Sequence, residues 1–174
     1  MKTLTSAVAV ILLASSVAFA QWKKDGKPVE DAPDRKSVNG FGGHLIVVKD
    51  PRAFIEEWNK PETPRINLAK SVKRGEQFGA FVLFANCKAD AQGVCNAEAD
   101  YFVYKPDGSL YVEMKNQPLW KDPPPPSGNT QLSRAILAIR FEEKDLAGEY
   151  KIKAKVSDLN ADISFELETK IRLQ

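Results

Sequence analysis

Two segments near the C-terminus alternate strictly between apolar and polar residues. In residues 150–156 the apolar side chains alternate with lysines, and in residues 163–173 they alternate with Ser, Glu, Lys and Arg. A period of two places one set of side chains on a buried face and the other set in water, as in a half-buried β-strand. A short polar stretch, residues 157–162, separates the two segments. The pattern therefore predicts an antiparallel hairpin.

The charged residues of this hairpin predict its register. A turn centred on residues 159–160 pairs two lysines with two glutamates: Lys153 lies opposite Glu166, and Lys151 lies opposite Glu168. Pairs of opposite charge contribute a few tenths of a kcal/mol each and help to fix which residues face one another. We expect these two pairings in the folded chain.

Further strands are predicted where short runs of β-branched and aromatic residues lie between turn signals. They comprise residues 45–48, 78–86, 99–104, 109–114 and 134–141, with a weaker alternation at 66–68. A Lys-Pro-Asp-Gly turn joins two of them into a hairpin. Residues 116–130 are predicted to be a long irregular connection, because four consecutive prolines cannot enter a hydrogen-bonded ladder and favour polyproline II.

One short helix is predicted after the first of these strands. Asp50 suits the N-cap position, and Pro51 suits the first turn. Phe54, Ile55 and Trp58 then share one face of the helix. A helix of two turns is too short to be stable alone, so we expect this face to pack against the domain.

The N-terminal region predicts an exported protein. Residues 1–20 have a positive start, a short apolar run and a small-x-small end, the pattern of a cleavable signal peptide. Cleavage there leaves Gln21 as the first residue. Residues 21–43 are polar and predict a flexible arm whose large anchors are Trp22 and Phe41, and residues 44–174 form the predicted domain. No later segment is apolar enough to cross a bilayer, so we expect no integral membrane segment after cleavage.

Composition narrows the function classes. The net charge is +2, and 28% of the residues are charged, so no basic groove for nucleic acid is expected. One His and two Cys exclude multi-Cys/His zinc sites. His44 is the only histidine, and nothing near it in sequence orients it for catalysis. The adjacent pair Glu142 and Glu143 lies where strand neighbours point to opposite faces. We expect no enzyme activity and no cofactor. The alternative is an active site made of carboxylates that only the fold brings together.

The two cysteines predict a disulfide in an exported chain. Cys87 and Cys95 bracket seven residues between two predicted strands, so the bond staples a loop. A catalytic redox pair is the alternative, but such pairs are usually two residues apart at a helix N-terminus. A divalent cation site is another alternative, although the loop lacks the spacing of a calcium loop. The candidate oxygen ligands are Asp90, Gln92, Asn96 and Asp100.

A motif before the C-terminal hairpin carries a resemblance. Asp145, Gly148 and Tyr150 form an Asp-x-x-Gly-x-Tyr pattern that resembles the tyrosine corner of immunoglobulin-like domains. The resemblance implies an antiparallel β-sandwich of about seven strands, in which the tyrosine hydroxyl bonds to upstream backbone. The resemblance then assigns strand A to residues 45–48 or 66–68, strand B to 78–86, strand C to 99–104 and the next strand to 109–114. It assigns strand E to residues 134–141, strand F to 150–156 and strand G to 163–173.

The resemblance extends to small exported bacterial immunoglobulin-like or fibronectin-like proteins, a class that is mostly uncharacterised. The chain departs from antibody domains because its cysteines do not join strands B and F. The resemblance covers roughly residues 72–173 and implies a fold more than a function.

The function expected from the sequence is that of a non-enzymatic binding or adaptor protein of the bacterial cell envelope, periplasmic or secreted. Its expected partner is another envelope protein. The alternatives are a module that binds a small ligand, a sugar or a cation through the stapled loop, and an enzyme with fold-assembled carboxylates. A tryptophan on a stiff spacer is a plausible interface anchor, and the alternative is a rigid crossover whose tryptophan covers the edge of the core. The candidate contact residues are Leu119, Trp120, Pro123, Pro124, Pro125 and Pro126.

Overall fold

The computed structural model describes residues 22–24 and 27–174. The predicted signal peptide lies outside these residues. One helix and eleven strands occur in the described chain. They are β1 (Lys23–Lys24), β2 (Lys27–Pro28), β3 (Arg35–Val38), β4 (Phe41–Val48), α1 (Pro51–Trp58), β5 (Ser71–Val72), β6 (Gln77–Ala85), β7 (Ala97–Tyr104), β8 (Leu110–Trp120), β9 (Gln131–Arg140), β10 (Gly148–Asp158) and β11 (Ile163–Leu173).

Nine of these strands form two sheets that pack face to face. One sheet has the order β5-β11-β10-β7-β8, and the other has the order β3-β4-β6-β9. All neighbours are antiparallel except β5 and β11, which are parallel. The predicted all-β sandwich with one short helix is confirmed. The sheets hold nine strands instead of about seven because β3 and β5 also pair.

The main core lies between the sheets. Its largest side chains have almost no contact with solvent. They alternate with more exposed residues along β7 and β10, whereas β4 and β6 are buried on both faces. Full burial of such a side chain stabilises the fold by about 1.5–3 kcal/mol. Among the most deeply buried are Phe78, Phe84, Tyr101, Leu137, Phe141 and Ile152.

The strand order agrees with the immunoglobulin-type assignment. The strands matched to A, B and E (β4, β6 and β9) are neighbours in one sheet, and those matched to G, F and C (β11, β10 and β7) are neighbours in the other. At the corner before β10, the Tyr150 hydroxyl donates to the backbone oxygen of Leu146 at 3.0 Å. This is the bond that a tyrosine corner makes.

Asp145 supports the same corner. Its carboxylate accepts hydrogen bonds from the backbone N–H of Glu142 at 2.7 Å and from the Tyr111 hydroxyl at 2.9 Å. The Arg74 guanidinium donates to the Asp145 backbone oxygen at 2.7 Å. Gly148 has a φ of +141° and would place a Cβ 2.8 Å from Pro106, so only glycine fits there. The three motif residues thus serve structural roles.

The C-terminal hairpin forms, but its predicted register is wrong. Lys153 pairs with Glu168 and Lys155 with Glu166, whereas Lys151 faces Lys170. The reason is a four-residue turn at 159–162, centred one residue after the predicted centre, which shifts the pairing by two residues. The Asp158 carboxylate stabilises this turn by accepting from the backbone N–H groups of Asn160 and Ala161.

The ion pairs of the hairpin are diagonal. Lys151 Nζ lies 3.4 Å from Glu168, and Lys153 Nζ lies 3.5 Å from Glu166. The predicted partners therefore meet as ion pairs, although they do not face one another across the ladder.

Two boundaries differ from the sequence predictions. The predicted arm ends at residue 43, whereas β3 and the start of β4 are already paired in the four-stranded sheet. Gly43 permits this pairing, because a Cβ there would lie 2.9 Å from the Phe165 ring of the facing sheet. The predicted irregular connection begins at residue 116, whereas β8 continues to Trp120. Pro118 is accommodated because β8 is an edge strand.

Residues 66–68 form no strand, and only one bridge joins Leu68 to Val48. They lie beside α1, which begins as predicted: the Asp50 carboxylate accepts from the Ala53 N–H at 3.0 Å, and Pro51 occupies the first turn. The helix packs Phe54 onto the outer face of the four-stranded sheet. A second apolar cluster forms there, comprising Ile46, Val48, Phe54, Phe81, Leu83 and Leu132. Ile55, predicted to share the packed face, is 37% exposed.

Candidate functional site

A groove of about 510 Å³ crosses the outer face of the four-stranded sheet. Leu83 of β6 forms part of its floor. Trp58 at the end of α1 and Trp22 from the N-terminal segment contribute two indole rings to its lining. Pro64 and Ile66 line it from the segment after the helix, and Pro125 and Pro126 line it from the proline run. Four segments that are distant in sequence thus meet at one site.

Trp58 is held by a stack of aromatic rings. Its ring centroid lies 5.9 Å from that of Phe54, and the Phe54 ring lies 5.1 Å from that of Phe81 in β6. Tilted pairs at such distances are favourable beyond the area that they bury. Trp58 is half-buried, and neighbouring Ile66 is 38% exposed, so apolar surface stays open to a ligand.

Trp22 is fixed by contacts with β3 and β4. Its indole Nε1 donates to the Lys36 backbone oxygen at 3.2 Å, and its backbone oxygen accepts from the Val29 N–H at 2.9 Å. Its ring meets the His44 ring edge-on, with centroids 5.9 Å apart. The N-terminal segment that was expected to form a flexible arm therefore supplies a positioned aromatic side chain.

His44 lies beside the groove and does not line it. Its Nε2 is 3.6 Å from the Asp34 carboxylate. Burial lowers the pKa of His44, and the Asp34 charge opposes that shift. The contacts of this histidine are thus a carboxylate on one side and the Trp22 ring on the other, and both place it in the packing of β4.

Among the described residues that line the groove, none has an ionisable side chain. Their polar side chains are neutral, so a bound group meets hydroxyl and amide dipoles from these residues. Such a surface can hold an uncharged ligand by apolar contact and hydrogen bonds. The neutral polar residues are Thr63, Asn129, Thr130 and Gln131.

A second cavity lies along the same helix and differs in charge. It measures about 620 Å³ and is lined partly by Lys49, Asp50, Glu57 and Arg65. Asp50 is already engaged as the helix cap, and the Glu57 carboxylate binds Lys60 at 2.6 Å. Its charges are mixed, so the surface favours neither sign of ligand.

The predicted anchor Trp120 does not lie in the groove. Its ring packs on Phe84 of the main core, with centroids 5.8 Å apart, and its Nε1 donates to the Pro123 backbone oxygen at 2.9 Å. The Arg134 guanidinium lies 4.9 Å from the ring centroid and also pairs with Asp122. Trp120 therefore covers the edge of the sandwich core.

The other predicted contact residues are divided between the core and the surface. Leu119 is fully buried. Pro123 and Pro124 are exposed outside the groove lining, whereas Pro125 and Pro126 contribute to it. The structure thus brings only the second half of the proline run to the candidate site.

The disulfide between Cys87 and Cys95 is confirmed, with Cα atoms 5.8 Å apart. A structural disulfide indicates an oxidising, non-cytoplasmic compartment. The loop that it closes is also fixed by hydrogen bonds. Asp90 accepts from the backbone N–H groups of Gln92 and Val94, each at 2.9 Å.

This loop docks on the turn after β10. The buried Asp158 carboxylate accepts from the Lys88 N–H at 2.7 Å, and the Asn160 side-chain amide donates to the backbone oxygens of Lys88 and Val94, both at 2.9 Å. The backbone oxygen of Asn96 accepts from the Leu159 N–H at 2.9 Å. Asp100, the remaining candidate ligand, accepts from the Asn116 N–H at 2.8 Å. The acids of the loop region thus satisfy backbone donors.

Within residues 22–24 and 27–174, no three His, Cys, Asp or Glu side chains lie together as they would around a metal ion. Nor does the described chain contain a helix with the length and apolarity needed to span a membrane.

No protein-family model matches the chain, and no curated protein matches it in sequence. Among solved structures it is similar to a family 123 glycoside hydrolase from Clostridium perfringens (9% identity, TM-score 0.42, 76% of this chain and 27% of that one). It is also similar to a Niemann-Pick type C2 protein from Japanese carpenter ant (15%, 0.41, 75% and 89%) and to the CARDB domain of a Pyrococcus furiosus protein (12%, 0.38, 84% and 99%). The chain spans about a quarter of the hydrolase.

Sequence reasoning located the two groove tryptophans only as packing residues. Trp22 was predicted to be an anchor of the arm, and Trp58 to belong to the packed face of the helix. The two tryptophans meet over the outer face of the four-stranded sheet. Segments about a hundred residues apart in the chain come together there. The sequence contains a partial signal for Trp58. A two-turn helix is not stable alone and must pack on a surface, which here is the outer face of the four-stranded sheet.

Proposed function

We propose that this chain is a non-enzymatic, exported binding protein of the bacterial cell envelope that docks an uncharged segment of another envelope protein in the groove. The observation that carries this proposal is the pair of half-buried tryptophans, Trp22 and Trp58, in a groove whose other described lining residues are apolar or neutral. Tryptophan is enriched among the residues that dominate binding energy at protein interfaces. Open apolar surface at Ile66 adds to the area that a partner can cover.

Export is supported by two independent features. The Cys87–Cys95 disulfide indicates an oxidising compartment, and the first twenty residues have the pattern of a cleavable signal peptide. Both features fit a periplasmic or a secreted protein. The proposed partner belongs to the same compartment.

A binding role without catalysis is supported by the surroundings of the groove. General acid–base chemistry needs a titratable group within hydrogen-bond reach of the reacting atoms. His44 contacts the Trp22 ring and the Asp34 carboxylate, and it does not line the groove. The groove therefore offers surfaces for recognition.

A second candidate function is the binding of a neutral sugar in the same groove. It is favoured because neutral hydrogen-bonding side chains line the groove together with the two indole rings. They are Thr63, Asn129, Thr130 and Gln131. Aromatic faces can pack on the apolar face of a sugar ring while such groups bind its hydroxyls.

Site-specific cross-linking in cells tests the proposal. A photoreactive side chain replaces Ile66, which lines the groove, or Leu110, a matched control that is 48% exposed on the other sheet. We expect one protein to cross-link at position 66 and not at position 110, and we expect Trp58→Ala to abolish that product. Equal products at both positions, or a product that survives Trp58→Ala, contradict the proposal.

A folding control accompanies this experiment. The unfolding free energy of the Trp58→Ala protein is measured in urea, because the helix could detach when the ring is removed. The variant Trp58→Phe keeps an aromatic ring on Phe54 and serves where Trp58→Ala is too unstable. Loss of the cross-link in a folded Trp58→Phe protein supports the proposal equally.

A further inference from the structure

We infer that the occupant of the groove is an extended, proline-containing peptide segment in the polyproline II conformation. This inference rests on the proposed function, since it names the chemistry of the partner segment at the same site. The observations that carry it are the aromatic rings that line the groove, the indole N–H of Trp58, and the neutral side chains of the described lining residues.

The aromatic lining favours a polyproline II ligand. The groove runs over a sheet face, with Leu83 in its floor and with indole rings contributed by α1 and by the N-terminal segment. Grooves lined by aromatic rings are the usual receptors for polyproline II segments, because the proline rings fit between flat side chains. The ring stack from Trp58 through Phe54 to Phe81 keeps one of these rings in place before a ligand arrives.

The hydrogen-bond donors of the groove also favour a proline-rich segment. A proline residue presents a carbonyl acceptor but no backbone N–H, so a proline-rich segment needs donors from its receptor. The indole N–H is a donor only, and that of Trp58 donates to no residue in the described part of the chain. The amide of Asn129 and the hydroxyl of Thr130 can add donors along the same groove.

The neutral lining also favours an uncharged segment. A charged peptide would lose hydration on entering the groove and meet no opposite charge among the described lining residues. A proline-rich segment is uncharged and already extended, so little conformational entropy is lost when it binds.

Fluorescence anisotropy of labelled peptides tests the inference on the purified, disulfide-bonded chain. The probe is a capped peptide of repeated Ala-Pro-Pro. The controls are a capped peptide of the same length with Ala-Ser-Val repeats and a neutral oligosaccharide of glucose. We expect the proline peptide to bind at least about tenfold more tightly than the Ala-Ser-Val peptide.

Variants locate the binding. Trp58→Phe keeps a ring but removes the N–H, and we expect it to weaken binding of the proline peptide several-fold. The matched control is Trp120→Phe, which changes a tryptophan outside the groove and leaves affinity unchanged. Equal weakening by both variants overturns the inference.

The remaining outcomes separate this inference from the proposed function. Equal binding of both peptides, or no binding of either, overturns the proline-specific inference, and the cross-linking experiment at Ile66 then decides the proposed function alone. Binding of the oligosaccharide with no binding of either peptide overturns both and favours the sugar-binding alternative.

Discussion

At the scale of single residues, two polar side chains hold the ends of β10 by hydrogen bonds to neighbouring segments. Tyr150 bonds across the corner to Leu146 at 3.0 Å, and Asp158 is 1% exposed while it accepts from the Lys88 N–H at 2.7 Å. A buried donor or acceptor that loses its partner costs about 1–3 kcal/mol. These two residues therefore stabilise the ends of β10 beyond the contribution of their packing.

The corner bond can be tested by removing one hydroxyl. Tyr150→Phe keeps the ring in the core but leaves the Leu146 oxygen without its donor, so we expect the unfolding free energy to fall by about 1–2 kcal/mol. Urea denaturation measures the change. Tyr104→Phe is the matched control at a half-buried tyrosine of β7, where we expect a change within about 0.5 kcal/mol. Equal losses in the two variants contradict the assigned role of the bond.

Tyr111 and Asp145 predict how stability depends on alkaline pH. Burial and the hydrogen-bonded Asp145 carboxylate raise the pKa of Tyr111 to about 12, and burial and Asp145 also raise the pKa of Tyr150. The unfolded chain ionises its tyrosines near pH 10. The unfolded state therefore releases protons first, and this contribution is complete below pH 10 and is lost as the pH rises to about 12.

The matching experiment measures the unfolding free energy of Tyr111→Phe and of the wild-type chain between pH 8 and pH 11. We expect the wild-type stability to fall more steeply above pH 10, because the variant has lost one group with a raised pKa. Parallel curves over the whole range contradict this assignment.

At the scale of elements, the hairpin of β10 and β11 shows what alternation can and cannot determine. A one-residue slip would move every apolar side chain to the wet face, so the pattern excludes it. A two-residue slip leaves both faces unchanged, and this is the error in the predicted register. The Asp158 side chain decides between the two registers, because it stabilises a turn at 159–162 through Asn160 and Ala161.

Helix α1 depends on a glycine of the sheet beneath it. A Cβ at Gly79 would lie 2.9 Å from Cγ of Pro51, a rigid ring in the first turn of the helix. We expect Gly79→Ala to displace the helix, to cost about 1–3 kcal/mol of stability and to shift the NMR signal of the Trp58 indole N–H.

The control for this prediction is Gly43→Ala. Its Cβ would meet the Phe165 ring at 2.9 Å inside the main core, away from the helix. We expect this variant to lose stability without moving the Trp58 signal. A Trp58 signal that stays in place in the Gly79→Ala protein contradicts the dependence of α1 on that glycine.

At the scale of the whole molecule, local patterns predicted the sandwich better than the site. The alternation at 150–156 and 163–173, the Asp50 cap and the Asp145–Tyr150 motif are local, and each appears in the fold in its expected place. The groove joins Trp22, the segment from Trp58 to Ile66, Leu83 and Pro125 over the outer face of the four-stranded sheet. No spacing rule relates four such segments, so the sequence could not predict their meeting.

The same comparison explains why Trp120 was a candidate anchor. It stands next to the proline run, which makes it conspicuous in the sequence. In the fold, β8 ends at Trp120, whose ring packs on Phe84 and lies 4.9 Å from the Arg134 guanidinium. The two tryptophans that line the groove occupy less conspicuous positions in the sequence.

The central claim is that the groove beside α1 is the binding site of this protein. The chain has three tryptophans, two in the groove and one outside it, so the indole N–H signals of the ¹⁵N-labelled protein report on both regions in one NMR spectrum. On titration with the Ala-Pro-Pro peptide, we predict that the signals of Trp22 and Trp58 shift together and saturate while that of Trp120 stays fixed. A titration that moves Trp120 instead, or that moves none of the three, contradicts the claim.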